Sequence, residues 1–126
     1  MNTLGVALEG GKTAYRPGDE VLGVASWTLE EPPKTVEVRL FWHTQGKGDQ
    51  DVEIVETTVF PDPGQTDLRE FRFRLPDGPY SFSGKLISLL WAIEVVASPG
   101  DMAGRAGIVL SPSGREVVIG RPAERV

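Results

Sequence analysis

The run from Leu86 to Ala97 is the feature that most constrains this chain. Ile87, Leu89, Trp91, Ile93, Val95 and Ala97 alternate with Leu86, Ser88, Leu90, Ala92, Glu94 and Val96, so an extended strand would carry apolar side chains on both faces. Such a strand belongs in the middle of a sheet, covered on much of each side. The run falls short of the roughly 20 residues that cross a bilayer as a helix, and Glu94 interrupts it. A central strand needs neighbours. The rest of the chain supplies them as short β-rich runs between turn signals, and no extended segment has apolar residues at helical spacing.

Leu4 to Leu8 is the first of these runs, closed by Gly10-Gly11. Pro17-Gly18 then makes a turn by fixing one φ and freeing the next. Val21, Gly23, Ala25, Trp27 and Leu29 share a face, until Pro32-Pro33 removes two ladder donors. From Val36 to His43, the side chains of Val36, Val38, Leu40 and Trp42 point one way, while Glu37, Arg39, Phe41 and His43 point the other, as in a half-buried strand.

Residues 44–50 read as a hairpin loop and Val52 to Phe60 as the returning strand. After the turn cluster Pro61-Asp62-Pro63-Gly64, Glu70 to Leu75 form a strand ending at Pro76-Asp77-Gly78-Pro79. Ala106 to Leu110 and Glu116 to Ile119 flank Ser111-Pro112-Ser113-Gly114 and are expected to pair as a terminal hairpin. The expected domain covers residues 1–119, with a frayed tail at 120–126. This pattern predicts an all-β fold, a two-sheet immunoglobulin-like β-sandwich, with Val38, Leu40, Trp42, Phe73, Trp91, Ile93 and Val95 in its core.

With 126 residues there is room for one domain. A net charge of −5 argues against a general nucleic-acid or anionic-membrane binder, since such proteins gain most of their affinity by neutralising phosphates. Arg69, Arg72 and Arg74 cluster, but Arg72 and Arg74 alternate with Phe71, Phe73 and Leu75, which marks a solvated strand face. The absence of cysteine excludes disulfides and thiolate metal sites. Met1 to Gly5 carry no basic segment followed by an apolar stretch, so no secretory signal is read and a cytoplasmic location is expected.

Two segments go beyond pattern. Tyr15-Arg16-Pro17-Gly18-Asp19-Glu20-Val21-Leu22-Gly23 has an aromatic residue, a turn, Gly-acid, then Val-x-Gly. Leu75-Pro76 is followed by Pro79-Tyr80-Ser81-Phe82-Ser83-Gly84 and then by the strand at 87–97. Gly18 and Gly84 suit positive-φ turns. In their order and spacing these segments resemble the arrestin superfamily, which includes arrestins proper, arrestin-domain adaptors, retromer's arrestin-like subunit and bacterial sporulation-control proteins. The resemblance covers residues 4–110 and implies one arrestin-type lobe acting as a non-enzymatic protein-interaction or scaffold module. Adaptors of that family usually carry two lobes, whereas this chain ends after one. It also lacks the basic set that reads phosphorylated receptor tails, so receptor desensitisation is not implied.

No catalytic or cofactor-binding constellation accompanies the pattern. His43 is the sole histidine and there is no Gly-x-Ser-x-Gly elbow, so a hydrolytic triad has no base with a nucleophile beside it. Asp49, Asp51, Glu53 and Glu56 invite a metal, but they lack calcium-loop spacing, and Asp51 and Glu53 alternate with Val52 and Ile54 as on a solvated strand face. Glu30-Glu31 reads as a polar loop, and Gly46-x-Gly48 and Gly10-Gly11 as hairpin turns rather than phosphate loops. Trp27, Trp42 and Trp91 sit among aliphatics and are expected in the core. An exposed tryptophan would favour the alternative function, a small-ligand or carbohydrate-binding sandwich.

The expected partner is therefore a protein, with no cofactor, no metal and no nucleic acid. A homodimer is the simplest arrangement, because a two-fold interface uses one patch twice. Its alternative is a monomer whose edges are blunted by Pro32-Pro33 and Pro61-x-Pro63.

Overall fold

The computed structural model describes residues 1–48 and 50–113 and the backbone of Val117 and Val118. Its strands are β1 (Thr3–Leu8), β2 (Ala14–Tyr15), β3 (Glu20–Thr28), β4 (Thr35–Gly46), β5 (Val52–Phe60), β6 (Thr66–Arg74), β7 (Phe82–Ser83), β8 (Ile87–Ser98), β9 (Met102–Leu110) and β10 (Val117–Val118), with a single 3-10 turn at Glu9–Gly11. They form two sheets. The smaller has the order β1-β3-β6, and the larger runs β10-β7-β8-β4-β5, with β9 pairing on β8 and β2 on β9.

The run that is apolar on both faces becomes β8, in the middle of the larger sheet. Along one edge it pairs antiparallel with β4, from Thr35 opposite Ser98 to Gly46 opposite Ile87. Its other edge is shared: β9 takes the stretch from Trp91 opposite Ile108 to Ala97 opposite Met102, and β7 takes Leu89 and Ser88. Val36, Val38 and Leu40 of β4 and Trp91, Ile93 and Val95 of β8 meet Val21, Ala25 and Trp27 of β3 and Phe71 and Phe73 of β6 in a single buried cluster between the sheets. On the far face of β8, Ala92 and Val96 are buried as well, as a strand covered on both sides requires.

Two glycines permit close approaches, Gly23 within the smaller sheet and Gly104 between β9 and β1. A Cβ at Gly23 would stand 2.6 Å from the Phe71 ring and from the Ala7 carbonyl oxygen, and one at Gly104 would stand 2.3 Å from the Leu4 carbonyl oxygen. β1 therefore lies directly on β9, because Gly104 offers no side chain to hold it away.

Several expectations need correction. Among the described residues the expected terminal hairpin is absent: β9 begins earlier, at Met102, and pairs with β8. Its other edge is taken by β2 in parallel, Ala14 opposite Val109 and Tyr15 opposite Leu110, and the backbone of Val117–Val118 pairs with β7 instead. Thr44, Gln45 and Gly46 belong to β4 rather than to a loop, because β8 continues opposite them. β6 starts at Thr66, four residues ahead of the expected Glu70. Of the expected core, Val38, Leu40, Phe73, Trp91, Ile93 and Val95 are buried, but Trp42 is only partly so. Trp42 packs against the core cluster but keeps part of its surface in solvent, while Phe41, on the opposite face, is buried. The expected tail at 120–126 lies outside the described residues.

Candidate functional site

The candidate surface is the outer edge of β5 together with the outer face of the larger sheet beside it. Among the described residues β5 pairs with β4 on one side only and ends the sheet. Its register with β4 slips between Leu40 and Phe41: Leu40 faces Glu56 while Phe41 faces Ile54, leaving Val55 as an extra residue. Such a bulge inverts the facing of every residue beyond it. Phe60 stays buried, stacked on Trp27 at a ring separation of 5.8 Å, while Val59, Thr57, Ile54 and Val52 lie with Glu37, Arg39, Phe41 and His43 on the outer face. Val52, Ile54 and Val59 are 66%, 50% and 60% exposed. This is a row of aliphatic side chains in water along a strand paired on one edge only among the described residues.

Next to that row the outer face is ordered by charge and stacking. The Arg105 guanidinium lies 4.9 Å from the centre of the Phe41 ring and donates to Glu94 at 3.0 Å, while Phe41 stacks on His43 at 5.8 Å. Arg39 donates to Glu37 on the same face. Phe41 is buried there beneath Arg105, a cation over an aromatic face that covers apolar area without hiding the charge. Burial and, second, the neighbouring Arg105 hold the His43 pKa below its ordinary value of 6.5. Among the described residues, no serine or carboxylate hydrogen-bonds to His43, whose ring stacks on Phe41.

The other residues singled out from the sequence stay apart. Asp51, Glu53 and Glu56 are exposed on β5 or its approach, and no three potential ligand side chains converge among the described residues. Asp49 lies outside them. Arg72 and Arg74 project from the outer face of β6 towards Glu20 at 3.7 Å each. Arg69 instead pairs with Asp67 at 2.9 Å; that bond, with the amides of Gly64 and Leu68, lowers the Asp67 pKa to about 2. Glu30 and Glu31 are exposed in the loop before Pro32, Gly10-Gly11 lies in the 3-10 turn, and Gly46 and Gly48 take positive φ around the β4–β5 turn. Trp27 and Trp91 are buried and donate to the carbonyls of Gly64 and Pro79 at 2.8 and 2.7 Å. Trp42 is partly buried and packed against the core, so none of the three forms an open stacking platform.

No family model and no curated protein matches the chain. Among solved structures, Spo0M, the sporulation control protein of Bacillus subtilis, superimposes with a TM-score of 0.62 at 20% identity over 86% of this chain. The chain has an arrestin-like fold. It spans 49% of the length of Spo0M. A β-glucosidase, EmGH1 from Erythrobacter marinus, matches 88% of this chain and 15% of its own at 15% identity with a TM-score of 0.44, too low to carry an argument.

The two segments that pointed to an arrestin-like lobe have visible work. Gly18 turns with φ at 84°, and its amide donates to the Leu75 carbonyl, tying the start of β3 to the end of β6. Ser81 is wholly buried: its amide donates to the Leu110 carbonyl at 2.7 Å, and its hydroxyl accepts the Leu110 amide at 3.0 Å. That pair of bonds ties the connection before β8 to the end of β9. Among the described residues, no helix is long and apolar enough to cross a membrane.

Proposed function

We propose that residues 1–119 form a non-enzymatic protein-interaction or scaffold module of the arrestin-like type, working in the cytoplasm, with the β5 edge as its contact strand. The observation that carries this reading is the row Val52, Ile54, Thr57 and Val59, uncharged and outward-facing on a strand that has β4 on one edge and, among the described residues, no neighbour on the other. Natural edges are commonly blunted with charge, and β6 carries it outward: Glu70, Arg72 and Arg74 occupy its outer face. β5 keeps its charges, Glu53 and Glu56, on the other face and leaves its outer face uncharged. The structural likeness to a protein described as controlling sporulation supports a regulatory rather than a chemical role.

Affinity capture from a lysate of the source cells, with the full chain as bait, tests the reading. Proteins retained by the parent should be lost on an Ile54→Lys/Val59→Lys variant that unfolds at the same urea concentration. Retention of the same set by both, or of nothing by either, would remove β5 as the contact strand.

A further inference from the structure

We propose that the occupant of the β5 edge is a second copy of this chain, paired antiparallel through β5 about a two-fold axis between Val55 and Glu56. The inference rests on reading β5 as the contact strand and adds the partner and the register. In an antiparallel pair, residues directly opposite each other share a face. For two copies of a regular strand this forces each residue to meet one whose number differs from its own by an even count. The bulge at Val55 changes that rule, because it reverses facing midway along β5. Outward residues are Val52 and Ile54 on one side of it and Thr57 and Val59 on the other. These four positions are symmetric about the midpoint of Val55 and Glu56. A two-fold axis there sets Val52 opposite Val59 and Ile54 opposite Thr57, twice over, with every pair on the same face.

The charges agree with that register. On the other face Glu53 meets Thr58, Glu56 meets the bulged Val55, and Asp51 reaches Phe60, so no described carboxylate stands directly opposite another. Shifting the axis by half a residue sets outward side chains opposite inward ones. The paired edges would join the two larger sheets into one continuous sheet across the axis, and the outer aliphatic rows would cover each other beside Phe41 and Arg105. A two-fold contact of this kind closes on itself, so it yields a dimer and not a fibre.

Light scattering after size-exclusion chromatography, over a dilution series from high to low micromolar, reads the mass of the parent. The expected result is a mass near twice 13.7 kDa at the high end, falling towards 13.7 kDa on dilution. Two variants test the register. Val52→Lys/Val59→Lys places lysine against lysine, Val52→Glu/Val59→Glu places glutamate against glutamate, and each alone should run as a monomer. Mixed in equal amounts they should restore the doubled mass, because every Lys then faces a Glu. A parent that stays at 13.7 kDa throughout, or a doubled mass that survives in either variant alone, overturns the proposal. If the parent is monomeric while its lysate partners are still lost on Ile54→Lys/Val59→Lys, self-pairing fails and the contact-strand reading stands.

Discussion

Trp91 is held on two counts: its rings fill the centre of the cluster between the sheets, and its indole N–H is satisfied by the Pro79 carbonyl at 2.7 Å. Trp91→Ala removes both the packing and a partner for that carbonyl, and urea unfolding should show a loss of about 3–5 kcal/mol. His43 lends itself to a different measurement. Its pKa is depressed first by burial and second by Arg105, so the folded state favours the neutral ring. The stability this brings is complete above the ordinary value of 6.5 and is lost as the pH falls through the folded value. An NMR titration of the single imidazole should give a midpoint below 6.5, and Arg105→Gln should raise it only part of the way, since burial is the larger cause. The residue pattern had placed Trp42 inside and Phe41 outside, and only half of that was legible. Alternation says which residues share a face but not how far the opposing sheet reaches, and a guanidinium stacked over Phe41 from a neighbouring strand leaves no local trace.

Among the elements, β8 was the most legible because its composition admits one environment only, and β3 and β4 followed from strict alternation. β5 was found as a strand, but its outward row was hidden. Counting back by twos from buried Phe60 puts Ile54 and Val52 inside, and the bulge that reverses them is a property of pairing, not of sequence. β9 was half missed, since Met102 to Arg105 offer a glycine and an alanine where strand-forming residues are expected. That same glycine is a place to test the packing of β1. Gly104→Ala drives a methyl into the Leu4 backbone and should cost about 1–3 kcal/mol in urea unfolding, whereas Gly107→Ala on the same strand, with open space around it, should cost far less. At the start of β6, Asp67 titrates at about 2 against an ordinary 3.8, so its contribution is full above about pH 4 and is lost as the pH falls towards 2. Asp67→Asn should flatten the acid limb of the stability curve in that window.

Across the whole molecule, protection should follow the ladder. Amide exchange is expected to be slowest in β4 and β8, whose hydrogen bonds open only when the sheets part, and much faster for the outward amides of β5 in dilute solution. The placement of β8 also has a consequence for how the chain is made. It is the eighth of ten strands, yet it joins β4 to both β7 and β9. Leaving the ribosome from the amino terminus, the polypeptide delivers β1, β3 and β6, and the β4–β5 hairpin with them, before the strand that binds the larger sheet together exists. Until residue 98 has emerged, the inner face of β4, with Val36, Val38 and Leu40, has lost its principal neighbour, and Trp42 waits nearly fifty residues for the Trp91 that lies opposite it. A nascent chain of this topology therefore presents an unfinished apolar sheet through most of its translation, which is the kind of surface that chaperones at the tunnel exit hold.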